Sequence, residues 1–122
     1  MELHERSHGD VVIVDVQGPM APDDDSYVVL RDTLRKLIDR GRTLILLNVA
    51  DLTYVDSVWL GAMVQAYASA ARHGGALKLL HVRSRFRELL RVTKLDTVFD
   101  LFESEEEAEA SFGAPDGPAS QV

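Results

Sequence analysis

The 122-residue sequence contains no cysteine, so it can form neither a disulfide framework nor a thiolate metal site. It has no apolar run of membrane-spanning length, and residues 1–8 lack the apolar stretch of a signal peptide. Neither a GxGxxG nor a GxxxxGKS/T phosphate loop is present. From these absences we expect one small cytoplasmic domain that binds no metal and no cofactor and does not insert into a membrane.

Basic residues are scarce relative to acidic ones. The chain has 13 lysines and arginines against 20 aspartates and glutamates, which gives a formal net charge of −7. Binding to nucleic-acid phosphates requires a concentrated basic surface, so this balance argues against a nucleic-acid partner. An acidic protein instead favours basic partners.

Strand patterns alternate with helix patterns along the chain. Short apolar runs, with a hairpin turn signal at Gly9-Asp10, predict five strands, near residues 3–8, 11–16, 44–49, 77–82 and 97–101. Apolar residues at helical spacing predict four helices, from 26 to 40, from 56 or 57 to about 73, from 84 or 85 to 92, and from 104 to 110 or 112. This order indicates an α/β fold: a mixed, mostly parallel β-sheet with an N-terminal antiparallel hairpin, packed with about four α-helices.

The pattern predicts one domain over residues 1–112 and a disordered C-terminal tail over 113–122, where Pro115, Gly117 and Pro118 interrupt regular structure. A chain of this length can bury about two thirds of its unfolded surface, which is enough for one core. We expect that core to be shared by six residues at the apolar positions of their elements: Leu46, Leu47, Val64, Leu79, Leu89 and Phe99.

A small hydroxyl stands where the central strand gives way to the second helix, in the run Val55-Asp56-Ser57-Val58. Asp56 or Ser57 is the expected N-cap, because a side-chain oxygen there accepts from backbone N–H groups that the first turn leaves unpaired. The same N–H groups and the helix dipole would also favour a phosphate. A helix cap with no further role is the alternative interpretation of this Asp-Ser pair.

This junction lies in the segment 51–61, DLTYVDSVWLG, which is followed by GGALKLL at 74–80 and FRELLRVTKL at 86–95. Together these segments resemble STAS domains of the anti-sigma-factor-antagonist type, and the likeness covers roughly residues 10 to 112. In that family the motif runs Asp-Ser-Ser-Gly-Leu-Gly, and the first Ser after the Asp is phosphorylated by a partner kinase. By position, that residue is Ser57 here.

The resemblance implies a regulator without catalytic residues of its own, not an enzyme. Its implied partner is an anti-sigma factor that is also a serine kinase and binds the ATP. The unphosphorylated protein binds that partner, and phosphorylation of Ser57 releases it. The implied contact surface consists of Asp56, Ser57, Val58, Trp59, Asp23, Asp24 and Asp25. We expect a monomer or a weak homodimer.

Three positions depart from the family pattern. Val58 and Trp59 stand where the family has a second Ser or another small residue and then Gly. Ala21 falls where many members have an Asp. The aspartates at 23–25 could replace that acid, or they could form only a solvated loop before the first helix.

Trp59 is the sharpest of these departures. The apolar stripe of its helix is predicted to run through Leu60, Val64, Tyr67 and Ala71. Since successive helical residues are about 100° apart, Trp59 lies at the margin of that stripe, and we expect it to be partly exposed as an interface anchor. A position in the core is the alternative.

Two other functions remain open from the sequence. One is a STAS interaction module that is not phosphorylated and works in a stress-signalling or lipid-transport complex. The other is a small α/β phosphoacceptor or enzyme that uses Asp51 or Asp56. The latter requires an acidic pair after an early strand and a lysine at a late strand end, whereas Asp15 lies inside its strand and Lys94 precedes the final one.

Two further groups of polar residues have weaker functional interpretations. Arg83, Arg87 and Arg91 recur every fourth residue and could meet an acidic patch or a phosphate, or could simply form a solvated helix face. The four histidines, at positions 4, 8, 73 and 81, are scattered and form no pair at helical ligand spacing. Because a metal site needs convergent ligands, we expect none among them.

Overall fold

The computed structural model describes residues 2–17, 26–52 and 55–113. Strands and helices alternate along this part of the chain as the sequence predicts, and a short 3-10 helix, Leu95–Thr97, precedes the last strand. The elements are β1 (Glu2–His8), β2 (Val11–Gln17), α1 (Ser26–Asp39), β3 (Leu44–Asn48), α2 (Ser57–Arg72), β4 (Ala76–Leu80), α3 (Ser84–Val92), β5 (Leu101–Phe102) and α4 (Glu105–Gly113).

The five strands form one sheet in the order β1-β2-β3-β4-β5. β1 and β2 pair antiparallel, with His8 opposite Val11 across the Gly9-Asp10 turn. The other three pairings are parallel. Parallel neighbours require a crossover, and α1, α2 and α3 lie within these connections. The predicted fold class is confirmed.

The sheet buries a core on each of its two faces. The larger core includes Leu47, Leu79 and Phe99, with Val64 and Leu89 packed partly buried against it. Leu46 is equally buried but belongs to the second core, on the opposite face, together with Ala108 of α4. The expectation of one shared core is therefore wrong for Leu46, because adjacent residues of a strand point to opposite sides of a sheet.

The predicted last strand, at 97–101, is also wrong in its position. The N–H groups of Val98 and Phe99 each donate to the carbonyl of Leu95 at 3.0 Å, which closes local turns and takes these residues out of any ladder. Phe99 then turns into the larger core, and the strand begins only at Leu101. Short-range hydrogen bonds have replaced the strand that the apolar run suggested.

Most predicted ends of elements agree with the structure. Gly41 follows α1 and Gly74 follows α2, and both have positive φ angles, 81° and 80°, which suit glycine. Ser104 caps α4, with its Oγ accepting from the N–H of Glu107 at 3.3 Å. The expected tail begins at Gly113, the last residue of α4, and residues 114–122 lie outside the described part of the chain. Among the helices that are described, none has the length and apolar character to cross a membrane.

Candidate functional site

The candidate site lies where the parallel strands end and their following helices begin. β2, β3 and β4 are mutually parallel, so their carboxyl ends reach the same edge of the sheet. In the described residues, α1, α2 and α3 each begin with a serine: Ser26, Ser57 and Ser84. The residue before Ser57 is the aspartate cap Asp56, whereas the residue before Ser84 is Arg83, which makes no side-chain capping bond.

The loop that leads from β3 to the site is anchored at its start. Asn48 donates from Nδ2 to Oδ1 of Asp15 on β2 at 2.8 Å, and its own Oδ1 accepts from the N–H of Ala50 at 3.1 Å. Arg83, before α3, donates from Nε to the carbonyl of Ala50. These bonds join β2, the loop after β3 and the start of α3 at one edge of the sheet. Residues 53–54 lie outside the described part of the chain.

Asp56 is the N-cap of α2, which decides between the two predicted caps. Its backbone is extended, with φ −121°, and its Oδ1 accepts from the N–H of Trp59 at 3.0 Å. The carbonyl of Asp56 accepts the first helical bond, from Leu60, at 3.0 Å. The capping bond restrains the start of the helix, so Ser57 has a defined position on its first turn.

Ser57 is the first residue of α2 and is exposed. Within the part of the chain that the structure describes, its hydroxyl makes no hydrogen bond. The N–H groups of Ser57 and Val58 precede the first helical bond, so they have no acceptor within the helix. The hydroxyl is therefore accessible for chemistry, beside two backbone donors.

Val58 lies next to Ser57 and is 49% exposed. Burying an aliphatic side chain of this size against a partner removes apolar surface from water and stabilises the complex. Val58 therefore adds an apolar contact point to the polar start of α2.

Trp59 is buried, so the expectation of a partly exposed anchor is wrong. Its side chain is only 3% exposed, and its Nε1 donates to Oγ of Ser26 at 3.3 Å. The predicted stripe was placed slightly wrong around the helix, because Ala71 is exposed whereas Met63 and Ala70 are fully buried. The indole has far more apolar area to bury than the Ala71 methyl, so the helix turns Trp59 towards the core and leaves Ala71 exposed.

The Trp59–Ser26 bond brings the start of α1 beside the start of α2. The predicted acidic residues Asp23, Asp24 and Asp25, and the departure at Ala21, lie outside the described residues. The bond from Trp59 holds Ser26, the first residue of α1, next to the candidate site. Trp59 is thus a positioning residue that supports this surface from behind.

The sequence pattern of the STAS domain family matches residues 3–108. The chain belongs to the STAS domain family. The anti-sigma-B factor antagonist of Bacillus subtilis is 33% identical to it over 89 residues, which cover 71% of this chain and 81% of that protein. This extent of similarity agrees with the family assignment.

Solved structures share the STAS fold over nearly the whole chain. An anti-sigma factor antagonist from Mycobacterium paratuberculosis has a TM-score of 0.80 at 16% identity, covering 93% of this chain and 94% of that one. The anti-sigma factor antagonist SpoIIAA in its unphosphorylated form has a TM-score of 0.78 at 19% identity, covering 94% and 100%. The Bacillus cell fate determinant SpoIIAA in its phosphorylated form has 0.72 at 19%, covering 90% and 98%. At these identities the likeness establishes the fold alone.

The three spaced arginines of the STAS domain do not form one free basic row. Arg83 contacts the loop after β3, Arg87 pairs with Glu103 at 2.6 Å, and Arg91 pairs with Glu88. All three are exposed, as the solvated interpretation predicts. Two of the three charges are paired within the domain and the third guanidinium donates to a backbone carbonyl, which weakens the idea of a phosphate-binding row.

On the α4 side of the sheet, the STAS domain assembles a polar cluster that the sequence did not reveal. Arg6 Nε lies 2.7 Å from Asp15 Oδ2, and Arg6 Nη2 lies 2.9 Å from Glu105 Oε1. Burial raises the pKa of Asp15, but hydrogen bonds from Arg6 and Asn48 outweigh it, so this pKa is lowered. The hydrogen bond from Arg6 likewise lowers the pKa of Glu105. The hairpin register could have predicted the Arg6–Asp15 pair, which is diagonal across two strands, but not Glu105.

The same side brings His8, Glu105 and Glu109 together, with ligand atoms within 4.8 Å of one another. His8 Nδ1 lies 2.9 Å from Glu109 Oε1, a contact between residues 101 positions apart that the scattered histidines gave no reason to expect. One imidazole and two carboxylates are possible metal ligands. However, Arg6 binds both oxygens of Glu105, and its positive charge opposes a cation there. We assign this group a structural role in holding α4.

Proposed function

We propose that this protein is an anti-sigma factor antagonist that acts by partner switching. In its unphosphorylated form it binds an anti-sigma factor that is also a serine kinase, through the exposed start of α2. The partner binds ATP and transfers phosphate to Ser57, and the modified protein dissociates. The main support is the exposed hydroxyl of Ser57 on the first turn of a capped helix, where it makes no hydrogen bond to any residue that the structure describes. The names of its relatives support the same role.

A phosphate at Ser57 would change the surface far more than the fold. It would add about −1.5 to −2 charges at the end of α2. Near the N–H groups of Ser57 and Val58, which have no acceptor within α2, it would stabilise the helix by roughly 0.3–1 kcal/mol, and the neighbouring Asp56 carboxylate would oppose part of that gain. The domain therefore stays folded when Ser57 is phosphorylated.

Within an interface the same phosphate becomes unfavourable. Removing an unpaired charge from water costs an effective several kcal/mol. This cost exceeds the roughly 0.3–1 kcal/mol that the phosphate gains at the helix end. Since about 1.4 kcal/mol changes an affinity tenfold, the difference weakens binding enough to release the partner. The switch thus rests on desolvation at the contact surface, with no rearrangement of the domain required.

We propose that the contact surface comprises Asp56, Ser57 and Val58, together with Asp23–Asp25 from the connection before α1. Val58 offers the apolar contact, since it is half exposed. The acidic residues favour a partner with a basic patch, in keeping with the net charge of −7. Trp59 supports the surface from the core and does not itself touch the partner.

The test compares Ser57→Ala and Ser57→Asp with the wild type. Each anti-sigma factor encoded in the source genome is purified and titrated against the three proteins by calorimetry, with and without ATP. Ser57→Ala should bind but not respond to ATP, and Ser57→Asp should remain folded, since Asp is tolerated at helix starts, yet bind at least about tenfold more weakly.

Ser84→Asp is the matched control, because Ser84 is likewise the exposed first residue of a helix, α3. Its affinity and ATP response should equal those of the wild type. Equal affinity of Ser57→Ala and Ser57→Asp for the partner would refute partner switching at this residue.

A STAS interaction module that is never phosphorylated, in a stress-signalling or lipid-transport complex, is the second candidate. The exposed Val58 beside Ser57 favours it, because an apolar contact can hold a partner without any phosphoryl switch. The intact mass of the protein isolated from its own cells separates the two functions. One added phosphate that disappears in Ser57→Ala supports the switch, and an unmodified mass under all growth conditions supports the module.

A further inference from the structure

A groove of about 340 Å³ lies between α1 and α2. Its charged lining includes Arg31 and Arg35 from α1 and Arg72 from α2, and its apolar lining includes Ile38, Ala62 and Ala66. The three apolar residues are almost fully buried, so they form the floor. Alanines on α2 leave this space open, because a larger side chain at those positions would fill it.

The groove concentrates positive charge in a protein whose net charge is −7. Among the described residues, its lining holds three arginines and one acid, Asp39. Arg31 shares its charge with Asp32, at 3.3 Å from Nε to Oδ1. Arg35 and Arg72 are exposed, and no acidic partner engages either of them among the residues that the structure describes. Two guanidinium groups are thus available to bind carboxylates, for which their geometry is well suited.

The groove continues directly into the proposed partner surface. Val58, Ala62, Gln65 and Ser69 follow one another at intervals of four, three and four residues in α2, so they share one side of the helix. Val58 is the exposed neighbour of Ser57, and the other three line the groove. From Ala62 to Arg72 the groove extends about 15 Å along the helix, or nearly three turns.

We propose that this groove receives an acidic amphipathic helix of the anti-sigma factor that contacts Ser57. The inference rests on the proposed function and adds a second contact region to it. Arg31 and Arg35 are one turn apart on one wall and Arg72 lies on the other, so acids on both flanks of a helix would meet them. The apolar stripe of that helix would lie on Ile38, Ala62 and Ala66, as in other helix-in-groove complexes.

Charge reversal tests the proposal on the full-length protein. Arg35→Glu/Arg72→Glu removes the two groove arginines that have no acidic partner among the described residues. It should weaken binding of the cognate anti-sigma factor by at least about tenfold, or about 1.4 kcal/mol. Wild-type binding should also weaken with added salt more steeply than binding by this variant.

Lys36→Glu/Arg85→Glu is the matched control. It changes the net charge by the same amount, but neither residue lines the groove, although Lys36 adjoins Arg35 on α1. This control should bind as the wild type does. Circular dichroism of both double variants should show the native fold, since all four positions are exposed.

The absence of cysteine permits a second, direct measurement. Ser69→Cys places a single thiol in the groove, where a benzophenone maleimide can be attached. Glu106→Cys, exposed on α4, is the control position on the other side of the sheet. After irradiation with the purified anti-sigma factor, the Ser69 probe should capture a peptide from an acidic helical segment, and the Glu106 probe should not.

The outcomes separate this inference from the proposed function. If the wild type binds no anti-sigma factor, the proposed function fails and this inference fails with it. If the wild type binds but the groove variant binds equally well, only this inference is overturned. Capture of a basic segment, or of a second copy of this chain, would also overturn it.

Discussion

Replacing Trp59 by Ala should destabilise the domain strongly. The indole is 3% exposed, belongs to the larger core and donates a hydrogen bond to Ser26. Truncation of a buried tryptophan to alanine typically costs about 3–5 kcal/mol, because it removes apolar contacts and leaves a cavity. Since small domains have only about 5–15 kcal/mol in total, the variant should lose a large share of its stability.

Trp59→Phe separates the ring from its N–H group. The phenyl ring keeps most of the apolar contact, whereas the bond to Ser26 is lost, which costs about 0.5–1.5 kcal/mol. The smaller ring adds a modest packing loss. The free energy of unfolding of this variant should therefore lie between those of the wild type and Trp59→Ala.

Val58→Ala is the control, because Val58 is adjacent in sequence but 49% exposed. It should change stability by no more than about 0.5 kcal/mol. The two positions should affect different properties. Val58→Ala is expected to weaken partner binding with little change in stability, whereas Trp59→Phe should lower stability and leave the contact surface intact.

Urea unfolding followed by far-ultraviolet circular dichroism is the appropriate assay, because Trp59 is the only tryptophan and its fluorescence is lost in Trp59→Ala and Trp59→Phe. In the wild type, acrylamide should quench Trp59 fluorescence only weakly until the domain unfolds. A loss for Trp59→Ala no larger than that for Val58→Ala would refute the buried position and restore the exposed anchor.

Leu47→Ala should lower the free energy of unfolding in urea by about 2–5 kcal/mol, because the Leu47 side chain is fully buried in the larger core. A loss near zero would contradict the position of β3 in the sheet. Gly61→Ala should raise stability by about 1 kcal/mol, since Gly61 is exposed inside α2 with open space at its Cβ position; a lower urea midpoint would contradict this. Burial raises the pKa of Asp15, but hydrogen bonds from Arg6 outweigh it and hold the pKa values of Asp15 and Glu105 below normal. Both carboxylates therefore stabilise the fold above their ordinary pKa values of about 4, and this stabilisation is lost as the pH falls through their lowered pKa values. Arg6→Met should flatten the acid dependence of the unfolding free energy, and an unchanged slope would argue against the cluster.

Local features of this sequence determined the order of its elements and the position of Ser57. The turn at Gly9-Asp10, the stop at Gly74 and the cap at Asp56 each act through bonds between residues a few positions apart. Such signals can be recognised without knowledge of the rest of the chain. The same is true of the motif that resembles the STAS family, and the family assignment agrees with it.

Tertiary structure decided which way the side chains point and which distant residues meet. Leu46 and Trp59 are both apolar, and only the placement of α4 and α1 shows which core each one joins. The Arg6–Glu105 pair and the groove between α1 and α2 join residues far apart in sequence, so no spacing along the chain predicts them. Helix and strand periods specify that a residue is buried, but the direction of burial depends on the elements that pack against it.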